Sequence, residues 1–541
     1  MSMISEPTII PPKPAEATCS AQPGVSSMTT KAAGINLYVL WEEETGYFDD
    51  PATGNHTVLF KAVRDGGKTF GKTIEPYRGN SACSLGSQMS IGQDGKGKDN
   101  VYVTWFGPSK LLLKVSNDNG SSFGNPVDLG SPNFASYQLV ADSNNGAYVI
   151  FSKKNESMNT SEITFRKSID GGKSFNDAVV VGSSNESNVN YQNIGLAVSG
   201  QNVYVVWSEM YVNNSCGSPD QPSCPSMIKF VKSSDGGNTF NPQSVSYIKD
   251  DVSKNNSAPT TTEQENNGSE SSLNRTCSGP QFENIAAAGQ NVYLIWLDAN
   301  CNHSLVHSED NGKTFSKPMN LLDYVQLTPN SFLYLSPYIL AFENDRIYIA
   351  FMIGNSTGDE MMLLKSSDGG NNFLPIRSAI PQGFGGRAYP IIEHLAMSNN
   401  GQLYFAGSPD TEGKTILFEA VDENQTANPT PFIIHSKGNT PFYGYYPQIA
   451  ASNAGYVYVL WLGSTDARSD PDGPHLNIMV RVSTDNGKTF SDTSKIADVL
   501  SLPEFSSLTM LIAALSLSLI VASIRAKWVS NISNRKSLKR P

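Results

Sequence analysis

Apolar residues in this chain fall in short runs separated by polar loops, and eight of the runs share one pattern, an apolar–Tyr–apolar centre followed by two or three further residues. They are NLYVLW ending at Trp41, VYVTW at Trp105, AYVIF at Phe151, NVYVVW at Trp207, NVYLIW at Trp296, RIYIAF at Phe351, QLYFAG at Gly407 and YVYVLW at Trp461. Short runs rich in β-branched and aromatic residues, bounded by turn residues, predict strands rather than helices. Downstream of each run a second pattern recurs, Ser-x-Asp-x-Gly-x-Ser/Thr-Phe. Copies start at Ser116, Ser168, Ser233, Ser308, Ser366 and Ser483, with Asp118, Asp170, Asp235, Asp310, Asp368 and Asp485 as their acids; the one at Ser366 has Asn372 in the Ser/Thr place. An earlier copy has Val63 in place of the serine but keeps Asp65, Gly67, Thr69 and Phe70, and a worn copy holds Ala420, Asp422, Asn424 and Thr426.

One strand and one motif per repeat predict units of four strands, with the motif turning the third strand into the fourth. In the fourth unit the expected strands are Gln192 to Val198, Val203 to Trp207, Met227 to Ser233 and Gln243 to Tyr247. Eight such units give an all-β propeller of eight four-stranded blades, or seven if the worn repeat does not pair. A closed repeat fold also accommodates 541 residues as one unit over 19–500.

Composition agrees: charged residues are only 16 %, and Gly, Ser, Asn, Thr and Pro are abundant. The formal net charge of -11, with no Lys/Arg stripe in the body of the chain, excludes a nucleic-acid partner.

The repeated motif between two strands resembles the Asp-box, or BNR, repeat of sialidase-like propellers, over nearly the whole stretch from Val25 to Val499. The resemblance implies that Asp65, Asp118, Asp170, Asp235, Asp310, Asp368 and Asp485 are structural and face away from the ligand side. A short carboxylate there can hold backbone N–H groups of its own turn while the glycine supplies φ > 0. Familiar sialidases have six blades, so a count of eight departs from them. Their catalysis needs three arginines, a Tyr–Glu nucleophile pair and an aspartic acid. The opening Phe-Arg-Ile-Pro segment is missing here: Phe165-Arg166 runs on into Lys167-Ser168. Only Arg275, Arg387 and Arg468 map near the ligand face, so no catalytic residue carries over.

In a propeller, the loops entering first strands and leaving second strands share one face around the channel. Candidate ligand residues on that face are Glu42, Glu209, Asp298 and Asp410, just past second strands, and Arg387, Tyr389 and Tyr446 entering the last two blades. Paired carboxylates suit glycoside hydrolysis, and Tyr faces beside an Arg suit a sugar or peptide. Asp466, Asp470 and Asp472 form an oxygen-rich cluster able to take calcium, the one cofactor for which the chain offers chemistry.

All six cysteines, Cys19, Cys83, Cys216, Cys224, Cys277 and Cys301, map to loops of the same face without metal-ligand spacing. Three local disulfides are expected, Cys19–Cys83, Cys216–Cys224 and Cys277–Cys301, and with them an oxidising compartment. Sequons at Asn55, Asn155, Asn213, Asn274, Asn302 and Asn355 point to a glycosylated exterior.

Residues 506–524 are apolar and uncharged and precede a basic tail, 525–541. Nineteen helical residues reach the ~30 Å of a bilayer core, so a membrane helix with a cytoplasmic tail and an external propeller is expected. Pro503-Glu504-Phe505, in the 501–505 linker, is similar to the C-terminal sorting signals of archaeal surface proteins, with Ser506 where the best-known form has Gly. Residues 1–18 read as a disordered segment with no signal peptide, so a start upstream of Met1 is expected. Together these features predict a membrane-anchored, cell-surface module recognising glycans or cell-envelope proteins without catalysis. The alternatives are a glycoside hydrolase with a diverged site and a structural spacer in a surface coat.

Overall fold

The computed structural model describes residues 24–499 apart from 46–54, 81–85, 108, 132–136, 156–159, 185–188, 212–225, 241–245, 249–279, 299–301, 326–331, 334–336, 342–344, 356–357, 383–394, 399–401, 410–413, 422–430, 437–442 and 465–475. Among the described residues the chain forms eight antiparallel sheets, each drawn from one contiguous stretch of sequence. They are numbered here as blades 1 to 8: Gly24 to Asn80, Gln88 to Gly130, Tyr137 to Ser184, Val189 to Ile248, Gln281 to Asn320, Phe332 to Gln382, Leu395 to Ser436, and Tyr443 to Val499. Within each blade the strands follow one another in chain order, and first strands of successive blades lie side by side at every seam but that of blades 6 and 7, which meet through the last strand of blade 6. The fold is an eight-bladed β-propeller. Blade 7 forms although its turn motif is worn, so the seven-bladed alternative is set aside.

Each second strand sits in mid-blade with both faces against neighbouring blades, which is why it reads as an unbroken apolar run rather than an alternating one. Its central tyrosine recurs in all eight blades as Tyr38, Tyr102, Tyr148, Tyr204, Tyr293, Tyr348, Tyr404 and Tyr458, and every one is buried. Hydrophobic clusters straddle seams instead of filling single blades. One joins Tyr38, Leu40 and Phe60 of blade 1 to Met89, Val103 and Trp105 of blade 2. Another joins Trp41 of blade 1 to Leu460 and Ile478 of blade 8. At ~2–3 kcal/mol for burying each large apolar side chain, these seams supply much of the driving force.

Edges of the first strands would leave backbone groups unpaired near the axis, and side chains from the preceding blade satisfy them. Gln88 Nε2 donates to Tyr137 O (3.0 Å) and its Oε1 accepts from Leu139 N (3.3 Å). Gln138 Oε1 accepts from Leu196 N (2.7 Å), and Ser90 Oγ from Ala141 N (3.0 Å). The ring closes the same way. Every blade is contiguous in sequence, and among the described residues no strand is shared between the first and last blades; Gln448 Nε2 donates to Met28 O and Tyr458 Oη to Ile35 O (2.8 Å) instead.

In the fourth blade the strands are Val189–Ser199, Asn202–Tyr211, Ser226–Ser233 and Ser246–Ile248, longer in the first two than the apolar pattern indicates. No helix among the described residues is long and apolar enough to cross a membrane. Residues 1–18, 501–505, 506–524 and 525–541, like all six cysteines, lie outside the described residues.

Candidate functional site

The turn motif is built the same way in six blades. In blade 4, Ser233 Oγ donates to Asp235 Oδ1 (2.6 Å) and accepts from Gly237 N (2.9 Å). Asp235 Oδ1 also accepts from Asn238 N and Thr239 N (both 3.0 Å), and Oδ2 from Thr239 Oγ1 (2.6 Å). Blades 2, 3, 5, 6 and 8 repeat this around Asp118, Asp170, Asp310, Asp368 and Asp485. In blade 1, with Val63 for serine, only the contact from Thr69 Oγ1 to Asp65 Oδ2 (2.8 Å) remains of the side-chain part.

In the six blades with the full motif, hydrogen bonds that favour the charged form pull the carboxyls down. Thr489 holds Asp485 at about 2, Ser233 holds Asp235 well below the usual carboxylate range, and the Thr314 backbone does the same for Asp310. At Asp118, Asp170 and Asp368 burial is the largest influence and pushes upward, yet the combined hydrogen bonds outweigh it.

The motif also couples blades. Phe123, Phe240, Phe315 and Phe490 pack edge-on against Phe60, Phe165, Phe230 and Phe418 of the preceding blade, with centroids 5.0, 5.1, 5.2 and 4.8 Å apart. Its glycine has φ +80° at Gly237, where a Cβ would stand 2.5 Å from Phe165 Cε1. In those six blades the carboxylate oxygens are thus engaged within their own turn.

The opposite face, where first strands begin and second strands end, carries the candidate ligand residues. Glu42 and Glu209 do not lie past second strands; they fall inside Asn36–Thr45 and Asn202–Tyr211, because those strands continue beyond their apolar centres. Glu42 is fully buried and its Oε1 accepts from Ser87 N (2.6 Å), tying blade 1 to the entry of blade 2. Glu209 is buried with Lys229 Nζ 2.8 Å from its Oε2, an ion pair without directed hydrogen-bond geometry. Its charge, after burial itself, helps push the Tyr191 hydroxyl upward. Asp298 does follow its strand, and it caps its own loop: Oδ1 accepts from Asn302 N (2.8 Å) and Oδ2 from Asn302 Nδ2 (3.2 Å). Each of these three carboxylates has a structural partner.

Tyr446 differs from them. It lies in Tyr443–Ala451, the first strand of blade 8, at a bulge between Tyr445 and Gln448. Its φ is +52° and it is 37 % exposed, a left-handed backbone that costs an aromatic residue ~1–2 kcal/mol. Asp410, Arg387, Tyr389, Asp466, Asp470 and Asp472 lie outside the described residues. Among the described residues no three His, Cys, Asp or Glu side chains group closely enough to hold a metal ion.

Blade 5 holds a pair that sequence reasoning missed. Glu283 Oε2 lies 2.7 Å from His303 Nδ1, with side chains 7 % and 10 % exposed. Glu283 falls at the bulge between Phe282 and Asn284 of the first strand, and His303, opposite Leu297, opens the third. One signal was available: Glu283 is the only acidic residue in any first strand among the described residues.

No family model and no curated protein matches the chain. Solved structures give remote likenesses. An ulvan lyase of polysaccharide lyase family 25, bound to a glucuronate–rhamnose sulfate repeat, is 11% identical, with 76% of this chain and 100% of that chain covered and a TM-score of 0.43. A Hadza microbial sialidase is 10% identical over 80% and 92% of the two chains, with a TM-score of 0.34. A Mycobacterium tuberculosis puromycin-hydrolyzing peptidase is 12% identical over 77% and 54%, with a TM-score of 0.40. Similarity of this degree assigns no activity, and the fold stands on the sheet topology above.

Proposed function

We propose that the chain is a surface recognition module that binds glycans on its channel face without turning them over. The observation that carries this reading is Tyr446, an exposed aromatic held in a strained backbone on a channel-lining strand. Bulges re-aim side chains and strain is retained where surrounding structure enforces it, so Tyr446 presents a fixed aromatic face to a sugar ring. The non-catalytic part rests on Glu42, Glu209 and Asp298, whose carboxylates already serve structural partners. The apolar segment 506–524 and basic tail motivate anchoring with the propeller outside.

The test is a glycan array probed with the full chain in detergent, beside a panel of fluorogenic glycosides. Retention of a glycan class, lost in Tyr446→Ala, without turnover of any glycoside, is the expected outcome. Turnover by the wild-type chain would replace this reading with a hydrolase.

A further inference from the structure

We infer that His303, oriented by Glu283, is a ligand-contacting hydrogen-bond acceptor at the channel face of blade 5, suited to a hydroxyl group of a saccharide. The inference rests on the glycan-binding reading and assigns a second contact on the same face.

An ionised carboxylate can only accept hydrogen bonds, so the 2.7 Å contact with Glu283 Oε2 places a proton on His303 Nδ1. In the neutral ring this fixes the tautomer and leaves Nε2 as a lone-pair acceptor. Nε2 has no hydrogen-bond partner among the described residues, and it is not among the buried polar atoms that lack one. With respect to the described residues Nε2 is thus neither bonded nor enclosed, at the end of blade 5 where Leu297 closes the second strand opposite His303. Holding two titratable side chains this deeply costs desolvation, which their mutual hydrogen bond offsets while holding the imidazole in one orientation. A sugar hydroxyl supplies the donor that Nε2 lacks.

Two measurements on the full chain test the assignment. The first is diethyl pyrocarbonate modification at neutral pH, read by peptide mass. His303 is expected to be acylated at Nε2, and Glu283→Gln to slow that site about threefold while leaving the other histidines unchanged, because the tautomer is no longer fixed. An unreactive His303, or equal rates in the two proteins, overturns the oriented acceptor. The second is affinity for the glycan class retained on the array. His303→Leu should weaken it about tenfold, the worth of one hydrogen bond, whereas His303→Gln, which can place an amide oxygen near the Nε2 position, should recover most of it. Unchanged affinity in a folded His303→Leu overturns the ligand contact. If the wild-type chain binds no glycan, the proposed function fails while the modification rates still decide the dyad.

Discussion

Gln448 donates its side-chain amide to the carbonyl of Met28, 420 positions earlier in the chain, and this bond spans the seam where the last blade meets the first. A propeller whose blades are each contiguous in sequence has no shared strand to latch its ends. Closure then rests on such side-chain bonds and on the apolar seam around Trp41, Tyr458 and Leu460. Gln448→Ala strips a buried carbonyl of its donor and should cost about 1–3 kcal/mol. Denaturant unfolding checks this; a loss below about 0.5 kcal/mol would mean that the seam is held by packing alone.

Two glycines separate backbone strain from crowding. Gly200 has φ +58° with no atom within 4 Å of a Cβ position, whereas Gly237 has φ +80° and Phe165 at 2.5 Å. Gly200→Ala should cost about 1–2 kcal/mol from the left-handed backbone alone. Gly237→Ala should cost about 2 kcal/mol more, because the seam must move. Equal losses in thermal denaturation would remove the role assigned here to the motif glycine in blade coupling.

Acid stability follows from the turn aspartates. The carboxyls of Asp118, Asp170, Asp235, Asp310, Asp368 and Asp485 are held below the ordinary value of 3.8, with Asp485 at about 2. A carboxyl lowered in the folded state contributes stability that is fully present above its unfolded value and is lost as pH falls through its folded value. Melting temperature should therefore be insensitive to these groups above about pH 5 and should drop between about pH 4 and pH 2. Asp485→Asn should flatten that drop while lowering stability at neutral pH. A profile unchanged by the substitution would show that Asp485 does not contribute.

Tyr446 links strain to recognition. Tyr446→Gly should be more stable than Tyr446→Ala by about 1 kcal/mol, since glycine tolerates the +52° backbone. Both should lose glycan binding alike. Chemical denaturation and array retention of the two variants check the pair of statements together, and binding by either variant would remove Tyr446 from the site.

Glu42 is predicted to act in folding rather than in chemistry. Glu42→Ala leaves the half-buried Ser87 N without its acceptor and should destabilise the chain by about 1–3 kcal/mol. Glycan retention by the folded fraction should persist. Loss of retention without loss of stability would return Glu42 to the ligand face.

The sequence by itself determined the repeat and the four-stranded unit, and it narrowed the blades to seven or eight; the pairing of blade 7 made the count eight. Those depend on local pattern: an apolar–Tyr–apolar run must be buried on both faces, and a Ser-x-Asp-x-Gly turn satisfies its own backbone within a few residues. Blade 7 shows the strength of the strand signal, since Leu403–Gly407 and its partners pair beside a worn motif. Tertiary structure decided what the polar residues do. Glu42, Glu209 and Asp298 look alike in sequence as acids near strand ends, yet their partners Ser87, Lys229 and Asn302 come from another blade, a neighbouring strand and the same loop. The Glu283–His303 contact joins the first and third strands of blade 5 across a bulge that no periodicity announces. A carboxylate's role depends on which donor lies within about 3 Å, and register shifts and neighbouring blades set that distance.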